Sequence, residues 1–151
     1  MKIQTSLKRI FISQTRLKLI NIFFYKPEEI FYVRQLVRLA DEEINSVRRE
    51  LDNLQKSGLI NSERRGNRLY YWADKQSPLF TNLVIIANQS SGLGLKLQNK
   101  NETLGTIKLV FYSYRFMVGG KRGSDDIDLI IVGDVSLREI EGFVKQEEAI
   151  R

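Results

Sequence analysis

Two sets of side chains in this chain have types and spacings suited to chemistry. The larger comprises amides, a hydroxyl and guanidinium groups: Asn45, Ser46, Arg48 and Arg49 in one run, then Arg64, Arg65, Asn67 and Arg68 in another. Such groups hydrogen-bond to base edges and phosphate oxygens, so the chemistry they suggest is recognition of nucleic acid. The smaller set is a pair of carboxylates, Asp126 and Asp128, entering the β-branched run Leu129-Ile130-Ile131-Val132. Carboxylates spaced i, i+2 on a strand point to one side and can share a divalent cation such as Mg²⁺, which can hold a nucleotide's phosphates for phosphoryl transfer. Composition removes other chemistries. Among the 151 residues there is no histidine and no cysteine. Imidazole acid–base catalysis, His ligation, disulfides and thiolate metal sites are therefore out of reach.

The first set needs a helix with one side packed and the other free. From Glu43 to Lys56 the apolar residues are Ile44, Val47, Leu51 and Leu54. At about 100° per residue these four lie within roughly 80° of one another. Asn45, Arg49, Asp52 and Lys56 fall on the opposite side, with Arg48 and Ser46 on the flanks. Ser57-Gly58 ends the helix, since glycine readily takes the left-handed conformation with which chains leave helices. Leu59–Arg64 then reads as a strand, Arg65-Gly66-Asn67 as a tight turn whose Gly and Asn tolerate positive φ, and Arg68–Trp72 as the returning strand. Tyr70, Tyr71 and Trp72 are expected to pack this ribbon against the domain; stacking on bases is the alternative.

Upstream, Ile3, Leu7, Ile10 and Phe11 fit a short amphipathic leader helix that could pack on a partner subunit, or else a tail. Ser13 can cap a helix through about Phe24, with Leu17, Ile20 and Phe24 inward. Lys26-Pro27-Glu28-Glu29 breaks it, Ile30-Phe31-Tyr32 suits a brief strand, and Val33–Ala40 a second helix. Charge follows the same division. Residues 1–75 hold 15 Lys and Arg against nine Asp and Glu, whereas residues 76–151 hold nine of each. All of the net +6 therefore sits in the first half, where binding to a phosphate backbone would need it.

Over roughly residues 13–90 the sequence resembles the winged helix-turn-helix transcriptional regulators, the ArsR-like group and its relatives. The resemblance is carried by Phe31-Tyr32-Val33-Arg34-Gln35-Leu36, Asn45-Ser46-Val47-Arg48-Arg49-Glu50-Leu51, Lys56-Ser57-Gly58-Leu59-Ile60 and Gly66-Asn67-Arg68-Leu69-Tyr70-Tyr71. It implies a DNA-recognition helix in the major groove, with Asn45, Ser46, Arg48 and Arg49 at base edges. It also implies an arginine-rich wing whose Arg64, Arg65, Asn67 and Arg68 lie on the backbone or in the minor groove. Double-stranded DNA is the expected partner and a homodimer the expected assembly, with the helix starting at Ser77-Pro78 and running to about Asn88 available for dimerisation.

Residues 89–106 read as a polar linker with a short helix near Leu93–Asn101. Thr106–Tyr112 then reads as a strand, Met117–Ser124 as a loop, Asp126–Asp134 as a strand and Val135–Lys145 as a helix. From about Ile107 to Lys145 this order and the Asp126-x-Asp128 motif resemble the minimal nucleotidyltransferase fold of the DNA polymerase β-like superfamily. Ser113 stands where that family has a serine, but Tyr112 precedes it in place of glycine, and no strand follows to supply a third carboxylate. The segment is expected to be a degenerate or partial version used for dimerisation or ligand sensing. The alternative is a Mg²⁺-dependent nucleotidyltransferase, with a nucleotide as ligand, guided by its winged helix. The fold expected is thus α+β: a winged helix-turn-helix over 1–90, a linker over 91–105 and a partial mixed α/β segment over 106–151. With no apolar run near the roughly 20 residues that span a bilayer and no signal-peptide pattern, a cytoplasmic protein is expected.

Overall fold

The computed structural model describes residues 3–90, 93–99, 101–118, 120 and 123–148. The first half runs α1 (Ile3–Ile10), α2 (Gln14–Tyr25), β1 (Phe31–Tyr32), α3 (Val33–Ala40), α4 (Ile44–Lys56), β2 (Ile60–Arg65), β3 (Arg68–Ala73) and α5 (Phe80–Ser90). Helices α2, α3 and α4 followed by the β2–β3 ribbon make up a winged helix-turn-helix, and mixed helices and small antiparallel sheets are what the sequence leads one to expect.

Local chemistry sets the boundaries. Ser13 caps α2, its Oγ accepting from the Arg16 N–H at 3.2 Å, which satisfies a backbone donor the helix leaves open. Asp41 ends α3 in the left-handed region at φ +49°, its N–H bonded to the Val37 carbonyl. At the end of α4, Gly58 sits at φ +65°. Its N–H donates to the Gln55 carbonyl and that of Leu59 to the Leu54 carbonyl, both at 3.0 Å; these paired bonds close a Schellman turn. The ribbon turns at Gly66-Asn67, with Arg65 opposite Arg68. Gly66 alone of the two has positive φ, +62°. That is the demand of a type II′ turn, so the tolerance Asn67 has for such a φ is not used.

β3 is central in the sheet, order β1-β3-β2, all antiparallel. One face carries Phe31, Ile60, Tyr71 and Ala73 into a core shared with Leu19, Ile20, Phe23 and Phe24 of α2, Leu36 of α3, Val47, Leu51 and Leu54 of α4, and Phe80, Leu83, Val84 and Ala87 of α5. The Ser-Pro pair expected to start α5 forms a separate turn instead. The Phe80 N–H bonds the Ser77 carbonyl at 2.9 Å, an i+3 bond tighter than the α-helical one, and the helix follows at Phe80.

The second half contains α6 (Leu93–Asn99), α7 (Asn101–Leu104), β4 (Gly105–Tyr112), α8 (Tyr114–Met117), β5 (Leu129–Val135) and α9 (Leu137–Glu148). The short helix expected within the linker stretch near Leu93–Asn101 forms as α6, with α7 after it, and Leu97 and Leu104 are buried with Phe143 of α9 in a second core under β4 and β5. These two strands pair antiparallel, with an irregularity between Ile107 and Leu109. Gly105 and Gly133 permit the close approach: a Cβ on either would collide with the carbonyl of the facing strand, Asp134 and Thr106 respectively. Among the described residues no helix is long and apolar enough to cross a membrane.

Candidate nucleic-acid interface

Burial splits α4 as its periodicity foretells. Val47, Leu51 and Leu54 are inside, while Asn45, Arg48, Arg49, Asp52 and Lys56 are exposed and Ser46 and Ile44 are half-buried. Arg48 and Arg49 have no carboxylate partner among the described residues, whereas Lys56 is taken up by Asp52 at 2.6 Å. The amide and two guanidinium groups in the first two turns are therefore free to meet an outside partner.

A carboxylate that the sequence reading did not single out fixes the placement of this helix. Glu50 is 3% exposed. Its Oε2 accepts from Arg16 Nε of α2 at 2.7 Å and from Asn53 Nδ2 at 3.3 Å. Burial, the largest influence, pushes the Glu50 carboxyl up, but hydrogen bonds from Arg16, Ser13 and Asn53 and the Arg16 charge together outweigh it. The net result lies below the ordinary 4.5. A second tie holds the turn between α3 and α4: Glu42 accepts from Lys18 Nζ at 2.7 Å and from Thr15 Oγ1 at 3.1 Å. Those two hydrogen bonds, the Lys18 one first, hold the Glu42 carboxyl below its usual range. Both acids thus dock the helix-turn-helix onto α2.

In the wing, Arg64, Arg65, Asn67 and Arg68 are all exposed, but strand alternation divides them. Arg64 lies on the side of Ile60 and Ser62, whose hydroxyl bonds Gln55 of α4 at 3.1 Å; this arginine faces the same way as the helix. Arg65 and Arg68, opposite one another, lie on the outer side. Arg65 is paired with Glu63 at 2.7 Å and sits 5.7 Å over the Tyr70 ring, and Arg68 sits 5.1 Å over the Tyr32 ring. The three aromatics of β3 divide likewise. Tyr71 is buried as expected, and that burial pushes its phenol up. Tyr70 and Trp72 lie on the outer face, half-buried, and so do not serve to pack the wing onto the core.

The two aspartates are not on a strand. β5 begins at Leu129, so Asp126 and Asp128 precede it, and alternation along a strand does not align them. Asp126 Oδ2 accepts from Arg115 at 2.6 Å and from the Gly123 N–H at 2.7 Å, an ion pair in a turn rather than an open cation site. Asp128 is buried, and its carbonyl accepts the Ser113 N–H at 3.0 Å. Ser113 itself caps α8, its Oγ accepting from the Phe116 N–H at 3.1 Å. Among the described residues no group of three or more carboxylates converges as a metal site would require.

No family model matches the chain, and no curated protein does. Among solved structures it is similar to M. tuberculosis Rv0081, at 18% identity and a TM-score of 0.43, over 64% of this chain and 90% of that one. It is also similar to a MarR-family transcriptional regulator from Silicibacter pomeroyi, at 18% identity and a TM-score of 0.44, over 71% of this chain and 80% of that one. At this distance neither likeness adds to the geometry above.

Proposed function

We propose that this chain is a sequence-specific DNA-binding transcriptional regulator that acts as a cytoplasmic homodimer. The observation that carries the reading is the division of α4: Val47, Leu51 and Leu54 anchor it, and Asn45, Arg48 and Arg49 stand exposed and unpaired by carboxylates on its other side. In this reading the N-terminal turns of α4 enter the major groove, where amide and guanidinium forks discriminate base pairs. Arg64 reaches the backbone beside the helix, and Arg65, Asn67 and Arg68 at the ribbon tip meet phosphates or the minor groove. The excess of positive charge in residues 1–75 supplies affinity that falls with salt. A dimer would read a pseudo-palindrome with half-sites about one helical turn apart, α1 and α5 being the helices proposed to pair. The β4–β5 segment takes part without metal or nucleotide chemistry, Asp126 being held by Arg115.

Selection of bound duplexes from a randomised pool tests this. The expected outcome is an enriched pseudo-palindromic site, lost when Arg49→Ala replaces wild type. Recovery of sequences no different from the input pool would sink the regulator reading.

A further inference from the structure

The outer face of the wing sheet carries aromatic rings that the duplex-binding role does not use, beside Arg65 and Arg68, which that role places at phosphates. Alternation and register bring Tyr32, Tyr70, Trp72, Asn61, Glu63, Arg65 and Arg68 to this one side, with Tyr32 opposite Tyr70, Tyr70 opposite Glu63 and Trp72 opposite Asn61. Tyr32 and Tyr70 meet edge to face at 6.2 Å. Arg38 of α3 donates to the Tyr32 hydroxyl at 3.2 Å, so three guanidinium groups from α3, β2 and β3 gather around two rings. The one carboxylate on this face of the sheet, Glu63, is already neutralised by Arg65. Beside Trp72 lies an open cleft of about 560 Å³ lined by Asn61, Arg65, Trp72, Gln76, Ile30 and the Lys75–Glu28 ion pair, and also by Asp74, whose Oδ1 accepts the Gln76 N–H at 3.0 Å.

We propose that this face binds a single unpaired DNA strand, its bases stacked on Tyr70 and Trp72 and its phosphates held by Arg38, Arg65 and Arg68. Rings are normally drawn into a core; here they remain half-exposed on the face turned away from it, interleaved with cations. A partner that satisfies both must be planar and anionic, as successive nucleotides are: every base has a π-face for the rings and every link a phosphate for the arginines. Along β3 the residues Arg68, Tyr70 and Trp72 recur at every second position, roughly 7 Å apart, which gives a row of contacts instead of one pocket. The cleft then receives a base whose edge meets the Asn61 and Gln76 amides. That the strand is DNA rests on the proposed function: Arg64 on the inner side of β2 lies with the duplex site, so a strand parted from that duplex passes onto the outer side.

Trp72 is the sole tryptophan, so its emission reports on this face directly. The whole chain is titrated with an oligothymidylate of about ten nucleotides, alongside Tyr70→Leu, Arg38→Gln and Arg49→Ala. The expected result is saturable quenching, weakened on the order of tenfold in the first two variants and unchanged in Arg49→Ala, with duplex binding retained by Tyr70→Leu. Thermal melts establish that each variant folds, and Arg38→Gln, an exposed position, stands in should Tyr70→Leu fail to. Quenching without any duplex binding would remove the regulator reading and still support this face. Duplex binding without quenching, loss of quenching in Arg49→Ala, or tighter binding of the matching oligouridylate would each overturn the proposal.

Discussion

Arg16 and Glu50 join α2 to α4 through a 2.7 Å contact with only 4% of the acidic side chain exposed and 40% of the basic one. Removing the arginine strands a buried carboxylate. Arg16→Ala is therefore expected to cost about 2 kcal/mol, less than the 3–5 kcal/mol of a wholly buried pair because Arg16 is partly solvated; urea unfolding measures it. The same contacts set a pH dependence. Glu50 and Glu42 both titrate below their ordinary 4.5 in the folded chain. Their contribution is present above that value and is lost as pH falls through the lower folded-state values. The melting temperature should accordingly fall on acidification below about pH 4.5, and less steeply in Glu50→Gln, as calorimetry across that range would reveal. Glu50 was not legible as a structural residue. It lies about 60° from Val47 at the edge of the apolar arc, and its partner is 34 residues away in sequence.

At the scale of elements, α4 and its exit were readable because their signals are local. Val47, Leu51 and Leu54 repeat at helical spacing, and Gly58 is where the chain leaves the helix with positive φ. Leu51→Ala, at 0% exposure, should lose about 3 kcal/mol, and Gly58→Ala about 1 kcal/mol from strain in the left-handed region. Denaturant titration of both variants checks the pair; equal losses would contradict this account of the helix end. Elements fixed by distant packing were harder to read. The polar stretch after Ser90 reads as a linker with a short helix near Leu93–Asn101; α6 forms there, and Leu97 and Leu104 are held by Phe143, some forty residues on. The spacing of Asp126 and Asp128 suggests a strand, but Asp126 is bonded to Arg115 in a turn before β5. The types of Trp72 and Tyr70 favour packing, but which side of the sheet is covered depends on helices elsewhere in the chain.

At the scale of the whole molecule, charge and chemistry are divided between the halves. The positive excess lies in residues 1–75 with α4 and the wing, and the paired aspartates lie in the neutral half. Replacing both Asp126 and Asp128 by alanine should thus leave operator affinity nearly unchanged at fixed salt, since the positive excess that draws phosphates lies in the other half; a tenfold loss would tie the second half to DNA binding. On the proposed reading α4 reads bases while the ribbon tip anchors phosphates, a division that duplex affinity across a salt series separates for wild type, Arg49→Ala and Arg65→Ala. Wild type should show a steep negative slope of log affinity against log salt. Arg49→Ala should lose about 1–3 kcal/mol on the preferred site only, and Arg65→Ala should weaken all sequences alike and flatten the slope by about one. No binding at low salt, or identical losses in the two variants on specific and random duplexes, would contradict it.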